Sequence, residues 1–362
     1  MIKFISKEIL EDYRNKTCFL RVDLNFSPDK DHLRIESIIP TIRLLLDFNI
    51  KIIIGSHRGR FDKETPSLEP FVEIISSKVK EEVFFSDNYE LSKNKTEKIV
   101  LLENLRQKKE EEENNEEFAK KLANLADFYI NDAFAVSHRE NASIAQITRF
   151  LPSFGGLCLE KELQNLSKAL NNPKSPFTLI LGGAKTSDKV GVIKNLWSKL
   201  DHVLLGGGPA NTFLLERGVD IGNSLAQRDA HELIETFAFT EKVKVPVDFK
   251  KEKDHIFDIG EETVKEYSEI ISQSKMIIWN GPMGKFEDEK FREGTEKILE
   301  ALIKNKEAEI IIGGGETISS MKSLGEELSV PDNIFLSTGG GAMLEFLSGK
   351  ELPGLKSLTQ EH

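Results

Sequence analysis

The stretch Phe177 to Lys189, FTLILGGAKTSDK, has the residue types that handle phosphate. An apolar run, Thr178–Leu181, breaks into Gly182 and Gly183, and Lys185, Ser187, Asp188 and Lys189 follow as a helical pattern resumes. Paired glycines remove the Cβ atoms that hold an anion away from backbone N–H groups, and two lysines add mobile full charges. The same order recurs downstream. His202–Leu205 runs into Gly206, Gly207 and Gly208, and Met276–Trp279 into Asn280 and Gly281. Glu309–Ile312 runs into Gly313, Gly314, Gly315, Glu316 and Thr317, and Ile334–Ser337 into Thr338, Gly339, Gly340 and Gly341. Val245–Val247 reads as one more strand, ending in Asp248. A single glycine loop of this kind is an ordinary tight turn, whereas a succession of them at strand ends points to a nucleotide laid along a sheet edge. Neither the Walker pattern nor the dinucleotide glycine fingerprint occurs, which counts against a P-loop kinase and a nicotinamide-dependent dehydrogenase.

The first half handles anions with side chains instead. Nine arginines precede residue 150 and three follow it, while 23 of the 25 glycines lie after it. Guanidinium forks match phosphate or carboxylate in bidentate fashion. Strands are expected at Thr17–Val22, Lys51–Ile54, Val83–Phe85, Ile99–Leu102 and Phe128–Ile130, with helices such as Ile35–Phe48, Leu68–Val79 and Glu112–Leu125 between them. Their near-continuous β-branched and aromatic runs mark strands of a parallel sheet buried on both faces. Polar and charged groups then gather beyond their carboxyl ends: Asp23 and Asn25; Ser56, His57 and Arg60; Glu103, Asn104 and Arg106; Asp132; His138 and Arg139. Ligands of such sheets bind at that edge. The glutamate-rich run Lys108–Glu117 reads as a solvated helix start.

The elements that position these groups fit two domains, as expected for 362 residues. Ser153–Leu170 has helical spacing and is followed by Asn171–Pro176, a bridge and hinge between them. A net charge of −11 argues against a nucleic-acid or anionic-membrane surface. Cys18 and Cys158 are too few for a disulfide or metal framework, and no long apolar run or signal sequence is evident, so a reducing, cytoplasmic setting is expected.

Eight stretches carry a resemblance to the phosphoglycerate kinase family. They are RVDLNFSP (Arg21–Pro28), SHRGR (Ser56–Arg60), LLENLR (Leu101–Arg106), NDAFAVSHR (Asn131–Arg139), LGGAKTSDK (Leu181–Lys189), WNGPMGKFE (Trp279–Glu287), IGGGET (Ile312–Thr317) and STGGGAMLE (Ser337–Glu345). The resemblance implies an α/β fold of two Rossmann-like domains, each a mostly parallel sheet flanked by helices, joined by a bridging helix and hinge. Residues 1–170, with a returning tail at 350–362, would bind 3-phosphoglycerate or 1,3-bisphosphoglycerate; residues 171–349 would bind ADP or ATP with Mg²⁺. It implies that Asp23, Leu24, Asn25, Arg34, His57, Arg58, Gly59, Arg60, Arg106 and Arg139 hold the acid substrate. The nucleotide falls to Lys189, Gly206, Gly207, Asn280, Met283, Glu287, Gly314, Gly315, Glu316 and Thr317, with Glu316 at the metal. Arg34, Lys185, Gly340 and Gly341 would meet the transferring phosphoryl group. A monomer closing about its hinge, with no nucleic-acid or membrane partner, is also implied.

The chemistry suits this cast, because both candidate nucleophiles, the ADP β-phosphate and the 3-phosphoglycerate carboxylate, are already ionised at pH 7. No general base is needed; placement and charge compensation are. The chain departs from the family at Glu316, where aspartate is usual, at Arg58, Phe61 and Ala135, and at Met343, where a small polar residue is usual. Glu316 and Met343 motivate a second reading, a ligand-binding protein with weakened catalysis. The segment Asp248–Ile259 is shorter than usual and reads as a trimmed surface loop.

Overall fold

Strands that are apolar on both faces need helices on both faces, and the chain supplies them by alternating the two. The computed structural model describes residues 1–29, 32–61, 63–92, 96–321 and 330–359. They form two compact units, Met1–Leu163 with the segment from Glu351 onward, and Gln164–Lys350. Residues 360–362 of the expected tail lie outside the described residues.

In the first unit β1 (Thr17–Arg21), β2 (Lys51–Gly55), β3 (Val83–Ser86), β4 (Ile99–Leu102), β5 (Phe128–Asn131) and β6 (Ser153–Gly155) form one sheet in the order β3-β4-β2-β1-β5-β6. All its pairings are parallel. Leu20, Ile52, Ile54, Leu101 and Ile130 are fully buried in its core, each stabilising the fold by about 1.5–3 kcal/mol. The chain reverses its direction across the sheet between β1 and β5, so a ligand crevice is expected beyond Arg21 and Asn131. The C-terminal segment packs into this unit. Gly354 N–H donates to Ser137 O at 2.8 Å, and a Cβ at Gly354 would come 2.7 Å from Ile144 Cγ2.

The second unit contains β7 (Phe177–Leu181), β8 (His202–Leu205), β9 (Val243–Lys244), β10 (Phe249–Glu252), β11 (His255–Ile259), β12 (Met276–Asn280), β13 (Glu309–Gly313) and β14 (Ile334–Ser337). Its parallel sheet runs β14-β13-β12-β7-β8-β9, and β10-β11 is a separate antiparallel hairpin. Here the reversal falls between β7 and β12, where the Gly182 and Gly281 loops meet.

Several expected elements differ. The helix expected over Glu112–Leu125 is two, Lys109–Glu112 and Glu116–Ala123, because Asn114 adopts φ 52° and the Asn115 side chain caps Phe118 N–H at 3.0 Å. Asparagine tolerates both tasks. Ser153 opens a strand, not a helix; the helix is Leu157–Asn171. Val245–Val247 is no strand, since Pro246 lacks a ladder donor and β9 ends at Lys244. Asp248–Ile259 is no trimmed loop either, being largely the β10-β11 hairpin, with Asp258 and Ile259 each 2% exposed.

Asp132, just past β5, ties the sheet to the helix Leu157–Asn171. Its Oδ1 accepts the Leu159 N–H at 3.0 Å, and Gly156 leaves it room, since a Cβ there would lie 2.3 Å from that oxygen. Burial pushes its pKa up to about 6, against about 3.9 for a free carboxyl. The folded state thus keeps a proton that the unfolded chain gives up, and the stability tied to it, full below about pH 4, is lost as pH rises through 6. Asp132→Asn mimics the protonated form. The stability of the native chain relative to this variant is expected to fall by roughly 3 kcal/mol between pH 4 and pH 7. Urea unfolding across that range checks it, and parallel profiles for the two proteins would contradict it.

Candidate active site

At the carboxyl edge of the first sheet, cationic groups converge on one imidazole. His57 is 1% exposed, and Arg21, Arg34, Arg106 and Arg139 all act on it electrostatically. Burial first, then these charges, hold its pKa well below the ordinary histidine value, so the ring is neutral at pH 7. Arg21 Nη2 lies 2.9 Å from His57 Nδ1. Arg34 Nη1 pairs with Asp23 Oδ2 at 2.8 Å, Asp23 Oδ1 accepts the Asn25 N–H, and Asn25 Oδ1 accepts the Gly59 N–H at 2.8 Å. Gly59 has φ 77° and no room for a side chain, because a Cβ would come 1.9 Å from Glu64 O.

Arg106 is braced by Gly59 O and by Glu112 Oε1, 3.2 Å from its Nε. Burial and the nearby Arg139 and Arg21 charges lower its pKa to about 10, which leaves it a cation at pH 7. At this edge His57 Nε2 and Arg106 Nη2 are both buried without a hydrogen-bond partner among the described residues. Unpaired buried donors amid guanidinium groups are costly unless an anion completes them.

In the second unit the glycine loops pack on one another. Gly183 N–H donates to Pro282 O at 2.7 Å, Gly207 N–H to Met283 O at 2.8 Å and Gly208 N–H to Gly183 O at 2.8 Å. Gly281, at φ 91°, sits so close that a Cβ would lie 2.3 Å from Gly182 O. These N–H groups are therefore spent between loops, and the glycines serve close backbone approach rather than direct anion contact. Open backbone lies elsewhere: no described atom comes within 4 Å of a Cβ at Gly315, Gly340 or Gly341.

Beside the loops is a cavity of about 400 Å³ lined by Gly207, Met283, Glu287 and Glu316, with Phe249 and Phe257 of the hairpin forming a largely apolar wall. Lys189 is 7% exposed with its Nζ on Lys185 O at 3.0 Å, and burial lowers its pKa while Asp188 and Glu316 oppose that shift.

The chain that carries these features is matched along most of its length by known proteins. A family model described as phosphoglycerate kinase matches residues 8–350. The chain belongs to the phosphoglycerate kinase family. The phosphoglycerate kinase of Finegoldia magna is 40% identical, with 98% of this chain and all (100%) of that protein covered, and that of Dictyoglomus turgidum is 41% identical, with 97% of each covered. The crystal structure of the Pyrococcus horikoshii OT3 phosphoglycerate kinase superposes with a TM-score of 0.85 at 31% identity, covering 99% of this chain and 98% of that one. The two helix-flanked parallel sheets are the phosphoglycerate kinase fold, and membership makes the chain a phosphotransferase with a carboxyl acceptor.

Not every residue matched to phosphoglycerate kinase motifs sits where it can touch a ligand through its side chain. Leu24 is fully buried in the core. Arg58 turns its guanidinium to Ser67 O at 3.4 Å and to the Phe71 ring, whereas the Arg60 side chain is exposed and it is the Arg60 backbone N–H that donates to Glu64 O at 2.8 Å. Asn280 and Thr317 are spent as braces, Asn280 Nδ2 on Gly313 O at 3.1 Å and Thr317 Oγ1 under Gly281 N–H at 2.8 Å. Gly206 and Gly314 brace likewise, Gly206 against Met283 and Gly314 against Asn280. Met343 is fully buried against Gly313, an interior position rather than a ligand contact.

Sequence reasoning missed Arg21 as a site group and passed over the hairpin. It also read Glu111 as solvated, whereas Glu111 is 1% exposed. The signal available for the hairpin was the recurrence of apolar residues, Phe249 and then Ile256, Phe257 and Ile259, on either side of a charged stretch.

Proposed function

We propose that the first unit binds 3-phosphoglycerate or 1,3-bisphosphoglycerate through Arg34, His57, Arg106 and Arg139, with Asp23 and Asn25 setting the loop geometry. The observation that carries this is the pair of buried, unpartnered donors, His57 Nε2 and Arg106 Nη2, inside a ring of arginines. The nucleotide base enters the cavity between the glycine loops and the hairpin, and its phosphates run toward Lys189, Lys185 and the open backbone at Gly315, Gly340 and Gly341.

Transfer requires the two units to bring their ligands end to end, and the helix Leu157–Asn171 with the segment Asn171–Pro176 is the pivot for that closure. Arg34, Lys185, Gly340 and Gly341 then compensate the charge spread over the moving phosphoryl group, without proton transfer by the protein. Glu316 is exposed, lies within the electrostatic reach of Lys189 and lines the cavity. No group of three or more acidic, histidine or cysteine side chains suited to a metal occurs among the described residues. A single carboxylate fits Mg²⁺ held mainly by phosphate oxygens and water. Glu316 would hold the ion, which supplies charge neutralisation on the nucleotide. The protein acts as a cytoplasmic monomer in this reading; no described helix is long and apolar enough to cross a membrane.

A coupled assay with Mg-ATP and 3-phosphoglycerate tests the proposal. Turnover on the order of tens per second or more is expected; binding of both ligands without turnover would favour a protein that has lost catalysis.

A further inference from the structure

Behind the anion pocket runs a buried polar chain that phosphoryl transfer leaves without a task. It begins at Glu111, on the short helix Lys109–Glu112, whose Oε2 accepts the Ser143 N–H at 3.0 Å and whose Oε1 accepts the Ser143 Oγ–H at 2.6 Å. Ser143 Oγ in turn accepts from Arg21 Nε at 2.7 Å. Arg21 is fully buried; its Nη1 donates to Val22 O, and its Nη2 lies 2.9 Å from His57 Nδ1 and 3.9 Å from Glu111 Oε1. The guanidinium is thus held at three of its nitrogens, with one edge directed at His57.

A guanidinium has donors only, so His57 Nδ1 must accept. A neutral imidazole that accepts at Nδ1 carries its proton on Nε2. That nitrogen is the one left buried and unpartnered. The other tautomer would set N–H against N–H, and an imidazolium would face Arg21, Arg34, Arg106 and Arg139 together.

We infer that Glu111, acting through Ser143 and Arg21, fixes His57 as the neutral Nε2–H tautomer and so makes it a hydrogen-bond donor to the bound anion. Glu111 is a positioning residue: it offsets the buried Arg21 charge and orients its plane without touching substrate. The inference builds on the proposed binding of the phosphorylated acid by the first unit.

Nitrogen-15 NMR of the full-length protein with labelled histidine, assigned with a His57→Gln variant, reads the tautomer directly. Between pH 6 and pH 8, wild-type His57 is expected to be neutral and protonated at Nε2; an Nδ1–H or imidazolium signal overturns the inference. Glu111→Gln keeps the side-chain shape and removes the charge. It is expected to mix the tautomer signal and to raise the KM for 3-phosphoglycerate roughly tenfold, more than it lowers kcat, with the KM for ATP unchanged. A folded Glu111→Gln protein with wild-type signal and KM overturns it as well. Should Glu111→Gln fail to fold, Ser143→Ala cuts the same bridge without stranding a charge and carries the same expectation. If His57 shows the Nε2–H signal yet 3-phosphoglycerate does not bind, the substrate reading falls and the tautomer assignment stands.

Discussion

Replacing Lys185 by alanine is expected to lower kcat by about 10²–10³-fold while leaving nucleotide affinity within a few-fold of wild type. Lys185 is exposed on the loop after β7, and its carbonyl, not its ammonium, holds Lys189. Its side chain therefore contributes little to the fold, and the alanine variant should unfold at nearly the wild-type temperature. A mobile cation of this kind gains most when charge appears on the transferring group, which is a transition-state interaction and shows in kcat rather than in KM. Steady-state kinetics with nucleotide titration calorimetry check the split. Near-normal turnover would remove Lys185 from the proposed catalytic set, and a loss confined to nucleotide affinity would make it a binding residue.

Arg106→Lys keeps the positive charge and loses the fork. The wild-type guanidinium reaches Gly59 O and Glu112 and still presents Nη2 without a partner. A lysine ammonium is a point charge and cannot brace that loop and meet an anion at once. The KM for 3-phosphoglycerate is expected to rise by about 10–100-fold, the equivalent of roughly 1.5–3 kcal/mol for a charge-assisted hydrogen bond. The KM for ATP should not move, because Arg106 and the nucleotide cavity belong to different units. Kinetics at saturating ATP measure the effect, and an unaltered KM would place the acid substrate elsewhere.

Much of the fold was legible because parallel strands buried on both faces leave a plain mark. The runs at Lys51–Ile54, Ile99–Leu102 and Phe128–Ile130 are apolar and β-branched or aromatic enough to read as strands, and the observed strands, Lys51–Gly55, Ile99–Leu102 and Phe128–Asn131, end within a residue of them. Errors came where local pattern competes with longer-range packing. Ser153–Gly155 looks helical in continuity with Leu157 and beyond, yet it pairs with Tyr129–Asn131 of β5 as an edge strand. The glutamates of Lys108–Glu117 look solvated because six of them crowd the run, yet Glu111 faces inward to a buried guanidinium.

By itself the sequence determined that the chain has two α/β sheets, that the first carries arginines and the second glycines at its strand ends, and which family it resembles. The sheets and their strand-end groups follow from composition and from short apolar runs, which are local, and the resemblance rests on the eight motif stretches. The tertiary structure alone decided which glycine N–H groups are bonded between loops, which of the arginines act on one imidazole, and that β10 and β11 wall the cavity. Hydrogen-bond partners and desolvation depend on residues far apart in the chain, such as Arg21 with Ser143 or Gly207 with Met283. No local pattern encodes whether a polar group is already satisfied by such a neighbour.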